Sequence, residues 1–467
     1  MPIRPANQNL ETNYPGSDKK EGSSVHECPL GQSRYDSKEK KYEAISIRGR
    51  LFFDGTLNNR TNTDNRLKNT DVYQAHQGEG SYENDYTNIS KLQRCVMPDH
   101  QASHSFSLYI EGPGTENEKD DVFSGYVFGM GDTGVKARAE KGIQMVVDKI
   151  NELDLEKSKK TIIERLYLDL FGFSRGAAVA RYFIYAALKD EKTRLKDRLA
   201  EAGYSAEVIE IKFVGLYDTV ASRGLDHTDD TPELHLDSIG EAEKVVQLAA
   251  ADEYRKNFPL TDITSAGKKG IQKFLPGSHS DVGGGYVDNG KETDHKILVI
   301  QAMSPFQNKE VEQQMKNTKA WLIKMGWHTE EEIRIKRRKG LSKDEGDQFK
   351  LVATRTGIKN SYATIPLHIM ADYMEKEGMT LNKEIMTNYS VPDELKELKR
   401  SLDRYLESPE ESASWHWNQE NTWAMNRLRH DYLHFSAHYG GFLKVHAPQF
   451  TKGGKLSGQR EREIHEG

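Results

Sequence analysis

Leu166-Tyr167-Leu168-Asp169-Leu170-Phe171-Gly172-Phe173-Ser174-Arg175-Gly176-Ala177-Ala178-Val179-Ala180 is the stretch whose reading decides the fold. An alternating apolar segment ends in Gly-x-Ser-x-Gly and opens directly into helix-forming small residues. A nucleophile elbow needs this context. The serine sits on a sharp, strained strand-to-helix turn, and the flanking glycines let the backbone pass close without a Cβ collision. Its hydroxyl then projects above the sheet edge, and the backbone N–H of Arg175 points to where an oxyanion would form. The competing reading is a tight strand–helix turn in which Ser174 is only a cap.

Working outward, Ala44 to Phe53 alternates like a strand and runs into the turn-rich Asp54-Gly55-Thr56-Leu57-Asn58-Asn59. Ser107 to Ile110 reads as a second strand entering Gly112-Pro113-Gly114. Val135 to Leu155 carries Ile143, Val146, Val147 and Ile150 at helical spacing. After the elbow, a helix from Arg175 to Leu188 and a charged one towards Ala202 lead to another apolar run, Val208 to Asp218. Strands alternating with helices predict an α/β protein: a mostly parallel central sheet with helices on both faces.

The expected organisation is a polar tail over 1–43, a core over 44–290, an inserted, mostly helical subdomain over 291–360, a C-terminal helical part over 361–447 and a polar tail over 448–467. The basic run Lys336-Arg337-Arg338-Lys339 reads as a solvated face, because Glu330, Glu331 and Glu332 lie just upstream.

Composition narrows the class. The chain has 467 residues, 36% hydrophobic and 30% charged, with net charge -6 from 66 basic and 72 acidic residues. That balance gives no electrostatic reason to bind nucleic acid or to be held on an anionic membrane by charge alone. Cys28 and Cys95 allow one disulfide at most and read as free thiols. Met1 to Gly16 has no apolar signal-peptide core, and no apolar run is long enough to span a bilayer. The expectation is synthesis in the cytoplasm without a Sec signal.

A serine hydroxyl needs a base, and the base an orienting acid, here in the chain order Ser, acid, His. Asp218 is the best acid, at the carboxyl end of the strand after the elbow helix, the edge where open α/β sheets gather catalytic groups. The bland reading of Asp218 is a turn cap. His279 is the best base, held in the tight loop Pro276-Gly277-Ser278-His279-Ser280-Asp281-Val282-Gly283-Gly284-Gly285-Tyr286; His434 and His438 are the alternatives.

Asp54 or Gly55 could supply a second oxyanion N–H, or the loop could be a purely structural turn. Phe52 stands where an aspartyl phosphatase would carry its nucleophile. Asp54, Asn58, Asn59, Asp64 and Asp132 offer oxygen ligands without the spacing of a cation loop, and no Cys/His set has zinc spacing. No cofactor is expected, and the sequence does not establish a calcium requirement. An apolar entrance could use Trp415, Trp417, Trp423 or the aliphatic face of the 361–376 helix.

Taken together and in order, Phe52-Phe53-Asp54-Gly55-Thr56-Leu57-Asn58-Asn59, Gly112-Pro113-Gly114-Thr115, Gly172-Phe173-Ser174-Arg175-Gly176-Ala177, Leu216-Tyr217-Asp218-Thr219-Val220 and Pro276 to Tyr286 resemble the α/β-hydrolase-domain family of type VI secretion lipase effectors of the Tle-one type. The resemblance covers about 44–290 and departs from the usual pattern in having Tyr217, not tryptophan, before Asp218. It implies an α/β-hydrolase fold and a Ser174, Asp218, His279 triad. It further implies phospholipase A activity on membrane glycerophospholipids of rival bacteria, carriage on a secretion spike into the target periplasm, and a dedicated immunity protein. Esterase or acyltransferase action on small soluble esters, and a non-enzymatic scaffold, remain the alternatives.

Overall fold

The computed structural model describes residues 33–37, 40–122, 131–153, 155, 161–221, 233–407, 422–440, 446–452 and 454–467. Cys28, Trp415 and Trp417 lie outside the described residues. The strands are β1 (Ser33–Ser37), β2 (Lys40–Phe53), β3 (His104–Ile110), β4 (Thr161–Phe173), β5 (Ser205–Tyr217), β6 (Lys244–Ala250), β7 (Leu260–Thr261), β8 (Gly270–Leu275), β9 (Gly290–Gln301), β10 (Ile333–Arg338), β11 (Gln348–Ile358) and β12 (Ile464–His465). The helices that position the site are α1 (Asn88–Cys95), α2 (Val135–Glu152), α3 (Arg175–Leu188) and α4 (His279–Gly283); α5 (Asn308–Lys324), α6 (Thr364–Lys376) and α7 (Trp423–Asp431) lie further along the chain.

β3, β2, β4, β5, β6 and β8 pair in that order, all parallel, and β1 adds an antiparallel flap on β2. The α/β reading of the sequence is the observed architecture. Neighbouring residues on a strand face opposite layers. Phe53 and Leu170 join α2 and α3 in one apolar cluster, whereas Phe52, Phe171 and Tyr217 join α1 and α6 in the other. The rings of Phe52 and Phe171 stack with centroids 4.5 Å apart, tying β2 to β4 beside the elbow. A strand covered on both faces reads as a near-continuous apolar run, as the second half of β4 does apart from Asp169, which pairs with Arg48 and Arg50 of β2.

Three expectations are corrected. The 291–360 segment is not mostly helical: β10, β11 and β9 form an antiparallel sheet with α5 as its long helix. Its edge strand β10 carries the basic run, with Lys336 paired to Asp294 and Arg337 to Asp347 and Glu312, as suits an edge that must not pair with another chain. The aliphatic face of the 361–376 helix is no entrance, because Ile365, Leu367, Ile369 and Met370 of α6 are buried against the sheet. The 448–467 segment is more than a polar tail: β12 pairs in parallel with β7, and the Arg462 side chain is only 6% exposed. Among the described residues, no helix is long and apolar enough to cross a membrane.

Candidate active site

Ser174 sits between β4 and α3 with φ 59° and ψ -129°, a conformation that costs energy in any residue with a Cβ. The surroundings over-determine it. Its N–H donates to Tyr217 O at 3.0 Å, and its carbonyl accepts from Ala177 and Val220. The glycines on either side are sterically required. A Cβ on Gly172 would lie 2.5 Å from Ala177 Cα, and one on Gly176 would lie 2.2 Å from Asp54 O, where the end of β2 crosses the start of α3. Ser174 is 5% exposed.

Asp218 follows β5 directly, fully buried, with φ 46°. Its own N–H is held by Leu248 O, and Oδ1 accepts from Ala250 N–H at 2.7 Å, so β6 fixes the carboxylate from the next strand. Oδ2 lies 2.6 Å from His279 Nδ1. His279 opens α4, whose start is locked by Asp281 Oδ2 accepting from both Ser278 N–H and Ser278 Oγ. The imidazole rests against Phe173, with centroids 4.6 Å apart, and meets Phe258 edge-on at 5.0 Å. Gly283 lets α4 approach, since a Cβ there would stand 2.0 Å from the Phe173 ring. Asp218 and His279 are therefore directly joined. Among the described residues no hydrogen bond links the Ser174 hydroxyl to the imidazole, and the two are connected through Phe173 and Tyr217.

Two features of the site escaped the sequence reading. Arg462, from the segment read as a loose tail, clamps Asp218 with Nη1 on Oδ1 at 2.6 Å and Nη2 on Oδ2 at 2.9 Å. Glu253, fully buried after β6, accepts from His279 N–H at 3.2 Å and from Arg255 Nε and Nη2 at 2.9 and 2.8 Å. Charge alternation in Arg460-Glu461-Arg462-Glu463, with the arginines more buried than the glutamates, is the period-2 signal that marks the first.

The electrostatics follow. Burial alone would raise the Asp218 pKa, but Arg462 and His279 outweigh it and hold the carboxyl well below the usual range. Burial lowers the His279 pKa, and Asp218 offsets this only in part. Burial would likewise raise Glu253, yet Arg255 brings it down to about 2.

The other candidates serve different ends. His434 Nδ1 bonds Asp281 Oδ1 at 2.8 Å and stacks on Tyr286, bracing the loop rather than reaching Asp218. His438 stacks between His295 and His446. The second oxyanion donor expected from the 54–55 loop is corrected: Asp54 N–H donates to Ile110 O, and Gly55 N–H to Asp54 Oδ1, so both amides are engaged. Asp54 itself accepts from Thr87 Oγ1 and Tyr109 OH, and burial pushes its pKa up to about 6. Asn59 caps the helix Arg60–Leu67, and Asp64 pairs with Arg94. Among the described residues, no cluster of three or more His, Cys, Asp or Glu side chains could hold a metal ion. Cys95 is buried, and Trp423 is exposed at the start of α7 with Arg427 over its ring.

Residues 185–324 match the family model "T6SS, Phospholipase effector Tle1-like, catalytic domain", a segment that contains Asp218 and His279. The structure of the Tle1 effector bound to the VgrG spike from the type 6 secretion system is similar at 21% identity and TM-score 0.59, covering 96% of this chain and 100% of that one. An uncharacterized protein from Pseudomonas aeruginosa aligns at 19% identity over 78% of this chain and 51% of its own, with TM-score 0.41. Comparison with curated proteins gives no match. Over residues 185–324 the chain is thus similar to the Tle1-like phospholipase effector catalytic domain of type VI secretion, and it carries the fold of the Tle1 effector.

Proposed function

We propose that this chain is a serine-dependent phospholipase A that hydrolyses the carboxylic esters of membrane glycerophospholipids as an antibacterial type VI secretion effector. One observation carries the reading: the 2.6 Å contact of Asp218 Oδ2 with His279 Nδ1, at the sheet edge where Ser174 occupies its strained elbow. With Nδ1 bound to the carboxylate, Nε2 is the nitrogen left to take a proton. His279 removes the Ser174 proton as Oγ attacks the ester carbonyl, and the tetrahedral oxyanion is held by the Arg175 N–H at the start of α3. His279 returns the proton to the departing lysophospholipid alkoxide, and water then releases the fatty acid by the reverse relay. This reading requires Ser174 Oγ and His279 Nε2 to meet in the substrate complex, where catalytic hydrogen bonds often tighten.

The family match and the fold of a spike-bound effector support delivery on a secretion spike into a target periplasm, with an immunity protein guarding the producer. Lipid product analysis tests the activity. Purified chain should release fatty acid and lysophospholipid from phospholipid vesicles, and the Ser174→Ala chain should release neither. Turnover of short soluble esters with intact phospholipid would overturn the substrate assignment.

A further inference from the structure

A carboxylate that serves an imidazole usually keeps its negative charge for that purpose. Here Asp218 shares it. Its two oxygens accept four hydrogen bonds, from Ala250 N–H, His279 Nδ1, Arg462 Nη1 and Arg462 Nη2, which fills the capacity of a carboxylate. Arg462 is itself anchored, with Nη1 also on Ala250 O at 3.0 Å and Nε on Phe258 O at 3.2 Å, and its segment is held by β12 on β7. Phe258 also meets the imidazole edge-on, so the same loop supports guanidinium and base together.

The charges around the imidazole cancel. Asp218 faces it from the end of β5, Glu253 and Arg255 from the loop after β6, and Arg462 from the segment before β12. Asp281, on the base's own helix, is turned to Ser278 and His434. Two buried carboxylates are matched by two buried guanidinium groups.

We propose that Arg462 is a positioning residue for the reaction, locking the orientation of Asp218 and balancing the pocket so that His279 rests as a free base. This rests on the assignment of Ser174, Asp218 and His279 above. Without Arg462 the pocket would carry a net negative charge, the imidazolium would be favoured, and the carboxylate would lose two of its four ties.

The test uses the full chain with Arg462→Met and Arg462→Lys. Folding is checked by thermal melting, and the readouts are the pH profile of ester hydrolysis and NMR titration of His279 in the Ser174→Ala background. For Arg462→Met, the acid limb of kcat/KM and the His279 titration should both move up by about one pH unit. The plateau kcat should fall about tenfold at nearly constant KM. Arg462→Lys keeps the charge but not the two-pronged grip, so its acid limb should stay in place while kcat falls a few-fold.

A folded Arg462→Met chain with wild-type acid limb and kcat overturns the proposal. If that variant does not fold, wild-type kcat in Arg462→Lys overturns it. The NMR titration separates the two readings. A shifted His279 titration, with a chain of unaltered Ser174 that hydrolyses no ester, keeps the charge balance that Arg462 gives the pocket but removes the lipase reading and with it any role for Arg462 in that reaction. Ser174-dependent hydrolysis with an unshifted titration does the reverse.

Discussion

Ser174 and Asp218 both occupy positive-φ backbone, at 59° and 46°, on consecutive parallel strands. Strain of this kind persists only where neighbours enforce it. Here the enforcement is reciprocal, since Ser174 N–H is bonded to the carbonyl of Tyr217, the residue before Asp218. Ser174→Ala should therefore melt within about 1 °C of wild type while losing hydrolysis by at least about a thousandfold, measured by fatty-acid release. His279 must be neutral to act as base, and burial lowers its pKa from the ordinary 6.5. Activity should thus rise with pH through a midpoint below about 6.5, and a kcat/KM profile with its acid limb above that value would contradict this environment. These residues were legible because each stands at a punctuated place: a glycine-flanked turn, the end of an apolar run, a Gly-Pro-rich loop. Arg462 left only a charge alternation of period two and Glu253 no signal at all, because nothing in a short polar segment reveals which charge it will be buried against.

At the scale of elements, the close crossing of β2 over the start of α3 sets the elbow. Gly176→Ala should destabilise the chain by about 1–3 kcal/mol, read from urea unfolding, because its new Cβ would meet the carbonyls of Asp54 and Phe53. An unchanged unfolding midpoint would mean that β2 shifts freely. The parallel sheet and its helices were readable because strands buried on both faces become continuous apolar runs and α2 repeats at helical spacing. The β9–β11 sheet was misread for the complementary reason. β10, Ile333-Arg334-Ile335-Lys336-Arg337-Arg338, is an edge strand with mostly exposed charges, and its polarity hides the period of two.

At the scale of the whole molecule, distant segments are held together by buried charge. Arg355 on β11 donates to Glu292 on β9 and to the carbonyls of Arg429, His430 and Leu433, binding the antiparallel sheet to α7 and the chain after it. Arg355→Met leaves Glu292 buried with its main cation gone, so unfolding free energy should drop by about 3–5 kcal/mol. A stack of imidazoles, His295 on His438 on His446, lies in the same region. Burial lowers the pKa of His438 to about 3 and of His446 to about 4. The unfolded chain would bind protons there near 6.5 while the folded chain does not, so stability is lost as pH falls from about 6.5 towards 4. Melting temperature against pH should show that decline in the wild type and a shallower one in His438→Phe; equal slopes would exonerate the stack.

The contact between Arg462 and Asp218 also sets a timetable. A ribosome makes proteins from the amino terminus onward, so Ser174, Asp218 and His279 all emerge before the guanidinium that ties Asp218. Until that late arginine arrives, the nascent chain holds Asp218 with half its ties unmade.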